Sequence, residues 1–172
     1  KGNRWAFFPA VSVGWRIDKE SFMQNIRQIN VLKLRGSVGE MGNQAIGNYE
    51  YLMSVLASKD YNYSFSDVLA GGAAIKDFVD ENISWETTRT YNLGLDFEAF
   101  DHRLLFSVDL YKKRTEGILR DVKIPAQIGN LNGPKQNIGV VANDGIELNL
   151  QWRSTIKNFH YSLGGNFCYN KN

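Results

Sequence analysis

The sequence is poor in the residues on which several kinds of function depend. Among its 172 residues there is one cysteine, Cys168, so no disulfide can form within the chain and thiolate-rich metal sites are excluded. A lone cysteine in strand-like sequence is expected to be a small buried side chain. The two histidines, His102 and His160, have no second ligand beside them at metal-site spacing and are expected to be solvated. Charge of one sign is also lacking: 20 basic residues against 18 acidic ones, scattered along the chain, leave no nucleic-acid footprint. The longest apolar runs, such as Trp5 to Val11, fall far short of the ~20 residues that a membrane-spanning helix requires. No signal peptide stands at Lys1, although a secretory destination would require one, and the chain opens and closes within strand-like sequence. It is expected to be a piece of a longer protein. No catalytic constellation of acid, base and nucleophile is present, so no enzymatic activity is expected.

What is abundant is aromatic residues, at 13%, and glycine, at sixteen, beside only three prolines. These favour β structure. The stretch from Trp85 to Lys113 reads as one hairpin. Along its first arm Tyr91, Leu93, Leu95 and Phe97 alternate with Thr90, Asn92, Gly94, Asp96 and Glu98. Along its second, Leu104, Phe106, Val108 and Leu110 alternate with Leu105, Ser107, Asp109 and Tyr111. A period of two gives each strand one apolar and one polar face. For the apolar sets to share a face, Phe97 must lie beside Phe106, Leu95 beside Val108 and Gly94 beside Asp109.

The same alternation recurs elsewhere. It predicts a strand between Trp5 and Arg16, with regular pairing beginning after Pro9 or around a bulge there, because proline donates no ladder hydrogen bond. A connection follows that contains a short helix capped by Asp18, then a strand from Val31 to Gly39. A long loop is expected from Glu40 to Ser84 and a second excursion from about Arg114 to Val141. Strands from Asn143 to Arg153 and His160 to Asn170 complete the set. Six strands thus emerge, joined alternately by short or moderate and by long connections. Outer-membrane barrels have short periplasmic turns and long extracellular loops, so the alternation gives each strand a direction.

The large aromatics are consistent with those directions. On the apolar face Trp15, Phe97, Trp152 and Tyr161 fall at the periplasmic ends, and Trp5, Phe7, Tyr91 and Tyr169 at the extracellular ends. Two belts are expected where a sheet crosses a membrane. A soluble β-sandwich that binds carbohydrate is the alternative architecture, and it has no reason to segregate aromatics into two levels. The polar face carries Arg16, Lys33, Arg35, Asp96, Asp109, Glu147 and Arg153, which would line a water-filled interior or face whatever closes it.

Taken together, FFPAVSVGWRIDKESF, LKLRGSVGEMGNQAIGNYEY, WETTRTYNLGLDF and RLLFSVDLYKKRTEGIL, followed by NIGVVANDGIELNLQW and FHYSLGGNFCYNKN, resemble successive signatures of SusC/RagA-like TonB-dependent outer-membrane transporters. The order and spacing of these motifs over nearly the whole chain make the resemblance specific. It implies an all-β fold, antiparallel strands forming part of a transmembrane β-barrel of about 22 strands closed by a plug. The plug and the remaining strands lie outside this sequence. The resemblance further implies active import across the outer membrane of a Gram-negative bacterium, driven by the TonB system through the absent N-terminal region. A SusD-like surface lipoprotein would act as lid, and the substrates would be glycans or peptides. A non-transporting β-module for surface binding or adhesion is the alternative.

Within the first long loop Tyr49, Tyr51, Tyr61, Tyr63 and Phe65 form an aromatic cluster that can stack on substrate, grip the lid or pack upon itself. Asp77, Asp80 and Glu81 are weak calcium candidates, since their spacing matches no known calcium loop. No other cofactor is expected.

Overall fold

The computed structural model describes residues 5–44, 47–49, 51–75, 77–128 and 132–172. One antiparallel sheet contains β1 (Ala10–Arg16), β2 (Ile29–Asn43), β5 (Glu86–Ala99), β6 (Leu104–Asp121), β7 (Lys135–Ile156) and β8 (Phe159–Lys171), in that spatial order. A separate hairpin joins β3 (Val55–Phe65) and β4 (Val68–Ile75). The chain divides into two units. One comprises Phe7–Met41, Thr88–Thr115 and Val141–Asn172, and the other Lys1–Ala6, Gly42–Thr87 and Glu116–Val140.

In the first unit the alternation read from the sequence sets the register. Val11 pairs with Val38, Val13 with Gly36 and Trp15 with Leu34, while Gly14 pairs with Arg35 and Arg16 with Lys33 on the opposite face. At the other edge Ile146 pairs with Tyr169, Leu148 with Phe167 and Trp152 with Leu163. The expected neighbour of Gly94 is confirmed, since a Cβ there would stand 2.7 Å from Asp109 Oδ1. Thr88 and Thr115, whose hydroxyls lie 2.9 Å apart, continue the same register. Pro9 precedes β1 and contributes only its carbonyl, which accepts the Glu40 N–H at 2.9 Å.

No core of the soluble kind lies among the described residues: the single buried hydrophobic residue is Ala99, 2% exposed. Val11, Val13, Leu93, Leu150, Leu163 and Phe167 are exposed along one face. An uncovered apolar face of this size needs an apolar medium or a partner, and a sheet in hydrocarbon must close to satisfy its edges.

Several boundaries differ from the sequence reading. Trp5 and Phe7 lie ahead of β1 rather than on it, because Pro9 stops the ladder. The connection after β1 holds two 3-10 turns, Ile17–Lys19 and Ser21–Met23, instead of an α-helix, and Asp18 caps neither. The first long loop contains the β3–β4 hairpin. Its tight turn, Ser66 and Asp67 at φ 51° and 65°, has the left-handed pair of a type I′ turn without the expected glycine. The second excursion is mostly strand, with β6 running to Asp121 and β7 starting at Lys135. At the far edge the two-residue turn is Lys157–Asn158, so β7 continues past Ser154. Cys168 is exposed rather than buried, for it pairs with Glu147 on the polar face of the edge strand.

The turn after β1 is held by charge. The Asp18 carboxylate accepts two hydrogen bonds from the Arg16 guanidinium, both 2.7 Å, and one from the Leu32 N–H at 3.1 Å. Its own side chain is only 4% exposed. The Arg16 bonds, and then the Leu32 N–H, hold its pKa well below the usual carboxylate range. A depressed folded-state pKa stabilises the fold fully above the unfolded value of ~3.9, and the contribution is lost as pH falls through the lower folded value. Asp18→Asn is therefore expected to lower the unfolding midpoint of the full-length protein at pH 7. The gap to wild type should narrow as the pH drops below about 4. A gap that stays constant down to pH 2 would remove the ion pair as its cause.

Candidate functional site

The polar face of the first unit owes its organisation to side chains that reach across strands. Arg35 on β2 donates through Nε and Nη2 to the two oxygens of Asp96 on β5, at 2.9 and 3.0 Å. The same Nη2 donates to Asp109 Oδ2 on β6 at 3.0 Å. Arg35 reaches the farther strand because Gly94 lies beneath it: a Cβ at Gly94 would stand 2.6 Å from Arg35 Cζ. One guanidinium therefore ties three neighbouring strands, and two carboxylates against one cation leave the cluster one negative charge in excess.

Other glycines on this face serve the same end. The Tyr111 ring covers Gly145, whose Cβ would lie 2.4 Å from Tyr111 Cζ. Lys33 folds across Gly14, with Cε 3.3 Å from the corresponding point. Toward the turns, Arg153 donates to Gln151 Oε1 at 2.7 Å, and Gln151 in turn donates to Ser162 Oγ at 2.9 Å. Arg16, as described, is committed to Asp18. Of the expected polar lining, Arg35, Asp96 and Asp109 are brought together, whereas Arg16, Lys33, Glu147 and Arg153 are dispersed over the same sheet.

Of the expected aromatic positions on the apolar face, Trp15, Tyr91, Trp152 and Tyr169 are exposed and Phe97 and Tyr161 half-buried. The Trp15 indole N–H donates to Glu20 Oε1 at 2.8 Å, which satisfies its one polar atom. Trp152 packs against Phe100 with ring centroids 6.3 Å apart, and Tyr161 stacks on Phe159 at 6.2 Å.

The second unit, described by itself, holds the aromatic loop. Tyr61, Tyr63 and Phe65 lie on β3, and Tyr63 and Phe65 face each other with centroids 6.4 Å apart yet remain 57% and 68% exposed. Tyr51 is half-buried, and Tyr49 is exposed with φ 66°. Tyr61 is likewise half-buried. Tyr49 and Asp77 line one shallow depression of about 300 Å³ together with Asn48, Asp121 and Lys135. Asp77 accepts the Asn132 amide at 2.6 Å, and Asp80 accepts the Asn82 N–H at 2.8 Å. Among the described residues no three carboxylates, histidines or cysteines converge on a common point.

Residues that the sequence reading passed over include Asn137 and Glu86. The Asn137 amide donates to the carbonyls of Ser84 and Gly117, at 2.9 and 2.7 Å, and its oxygen accepts the Ser84 N–H at 2.9 Å. Gly117, at φ 68°, lies within β6, where its carbonyl accepts the Asn137 amide. Glu86 accepts the Leu119 N–H at 2.9 Å and the Asn43 amide at 2.8 Å. The glycine inside a strand was the available signal for this side-chain contact.

The comparisons with known proteins agree with this geometry. A family model described as TonB dependent receptor-like, beta-barrel, matches residues 1–172. The TonB-dependent receptor SusC of Bacteroides thetaiotaomicron is 35% identical over all of this chain and 17% of its own length. The TonB-dependent receptor P3 of Formosa agariphila is 36% identical over all of this chain and 17% of its own. The solved structure of the RagAB peptide transporter superposes with a TM-score of 0.83 at 32% identity, covering 99% of this chain and 18% of that one. The chain thus spans less than a fifth of the length of these relatives.

The cross-strand cluster yields a test. Arg35→Met leaves two carboxylates side by side, and for a partly exposed network a loss of roughly 1–3 kcal/mol is expected in the full-length protein. Gly94→Ala should cost a similar amount by pushing Arg35 and Asp109 apart, and the double variant should be little worse than either single one. Denaturant titration of the four proteins measures this; simple additivity would show that Gly94 acts by some route other than the cluster.

Proposed function

Because this chain belongs to the TonB dependent receptor-like β-barrel family, we propose that it is part of the wall of an outer-membrane importer of nutrients in a Gram-negative bacterium. The observation that carries the reading is the division of a six-stranded antiparallel sheet into an exposed apolar face and a charged face. A wall between lipid and a plugged, hydrated interior has that requirement.

In this reading the apolar face meets lipid and the charged face meets the plug. The excess negative charge at Arg35, Asp96 and Asp109 offers a fixed docking point for a basic plug side chain. Import is a conformational event driven through TonB, so the chain contributes positioning rather than covalent chemistry. The substrates are peptides or oligosaccharides: peptides are supported by the likeness to a peptide transporter, RagAB, and oligosaccharides by the sequence resemblance. Deleting the full-length gene should abolish uptake of one labelled class, and removing TonB should have the same effect. Unchanged uptake of both classes, with surface adhesion lost instead, would favour a non-transporting binding module.

The partner is a SusD-like surface lipoprotein acting as lid. The support for an extracellular docking surface is the β3–β4 hairpin, whose Tyr63, Phe65, Val68 and Leu69 are exposed. An isolated two-stranded hairpin with this much exposed apolar surface is marginal alone. Tyr63→Ala with Phe65→Ala is expected to reduce recovery of the lipoprotein with the receptor by about tenfold or more, as exposed aromatic anchors do at interfaces. Full recovery would place the lid contact elsewhere.

A further inference from the structure

In the first unit, the half of the charged face nearest the turns is shaped differently from the Arg35 cluster. The Arg153 N–H donates to the Arg103 carbonyl at 2.7 Å, and the Tyr111 ring lies over Gly145. Both fix β6 against β7 so that Leu105 stands beside Gln151 and Ser107 beside Asn149. The β7–β8 ladder extends these rows, with Gln151 opposite Gly164 and Asn149 opposite Asn166. An open depression of about 610 Å³ lies over them. That volume is within the ~300–1,000 Å³ common for ligand sites.

Bonds already made hold its borders. On the side of the turns the Gln151 amide donates to Ser162 and accepts from Arg153, and Glu98 meets the His102 imidazole. On the other side Asp96 is held by Arg35. The middle stays low because Ser107 is short and Gly164 has no side chain; the Gln151 stem runs beside Gly164, with Cγ 3.6 Å from where a Cβ would stand. Leu105 gives the floor one apolar patch. Asn149 Nδ2 lies 3.4 Å from Ser107 Oγ, longer than the ~2.7–3.2 Å of a well-formed bond. Among the described residues no bond engages the Asn149 side-chain oxygen or the Asn166 side chain.

These groups select a partner. Each amide side chain offers an acceptor oxygen and an N–H donor group, the same pair that a peptide backbone carries. Two of them side by side on neighbouring strands suit a chain lying extended across them. A sugar would ask for a ring face, and the nearby rings of Phe97 and Phe106 stand on the apolar face. A free peptide would bring charged termini, whereas the uncommitted lining is neutral. An internal stretch of backbone meets both conditions. More than four-fifths of the length of the relatives lies outside this chain, and amides shut into a closed interior need partners. We propose that the depression holds an extended backbone segment of the plug, bonded by Asn149 and Asn166, with an aliphatic side chain resting on Leu105. The proposal rests on the reading of this chain as the wall of a plugged importer, and it adds the place and the chemistry of one contact.

The test uses the full-length receptor with photoreactive p-benzoylphenylalanine in place of Asn166, and the same group in place of Leu163 on the apolar face as control. Mass spectrometry of the irradiated protein is expected to find position 166 joined to one stretch of the plug and position 163 joined to none. Capture of an added peptide instead, or no plug product at position 166, overturns the site. Asn149→Leu with Asn166→Leu keeps the side chains' size and removes their bonds. Hydrogen exchange in that stretch of the plug should then quicken about tenfold, as the loss of two hydrogen bonds requires. Ser107→Phe, which fills the depression and leaves both amides in place, should quicken exchange in the same stretch. Unchanged exchange in both variants overturns the proposal. Nutrient uptake with and without TonB separates the two readings: TonB-dependent uptake without the plug product removes only this contact, whereas uptake that ignores TonB removes the importer reading and the contact with it.

Discussion

Everything in this chain depends on backbone pairing between long antiparallel strands in one fixed register. Among the described residues almost nothing is buried, so the stability usually supplied by a packed core is missing from the sheet itself. What remains is the hydrogen-bonded ladder, cross-strand pairs and the medium on the apolar side. A slip of one residue would exchange the two faces along an entire strand, carrying Asp96 and Glu98 of β5, or Arg35 of β2, into the apolar layer. Charge placement therefore enforces the register as firmly as hydrophobicity does.

The charged face shows how a barrel wall stiffens without a core. Small residues at Gly14, Gly94 and Gly145 clear paths along which Lys33, Arg35 and Tyr111 lie flat across neighbouring strands. The Arg35 crossing ties strands that are distant in sequence; Arg35 and Asp109 are separated by 74 positions. A guanidinium is suited to this because its planar fork satisfies both oxygens of one carboxylate and still reaches another.

The two faces put different demands on their glycines. On the charged face a missing side chain admits a neighbour's long one, whereas Gly36 on the apolar face admits no neighbour and leaves a groove. That difference follows from side-chain length. Valine and leucine stand up from the sheet and cannot fold sideways to cover a gap, while arginine, lysine and tyrosine can.

Much of the wall was legible in the sequence because period-two alternation depends only on local geometry. The strands, their faces, the Gly94 and Asp109 neighbours and the block of pairing at Pro9 all followed from it. Alternation failed where its assumptions did. The β3 segment VLASKDYNYSF bulges between Ser58 and Tyr63, and its Ser-Asp turn lacks the usual glycine, so the hairpin read as loop. Asp18 resembled a helix cap, yet its partners are Arg16 and the Leu32 N–H fourteen residues away. The sequence by itself determined which residues share a face, because that is a property of one strand. Only the tertiary structure decided that Arg35 bridges Asp96 and Asp109, that Tyr111 covers Gly145 and that Gly36 opens a groove. Those depend on the lateral order and register of strands, which bring together residues that no local period relates.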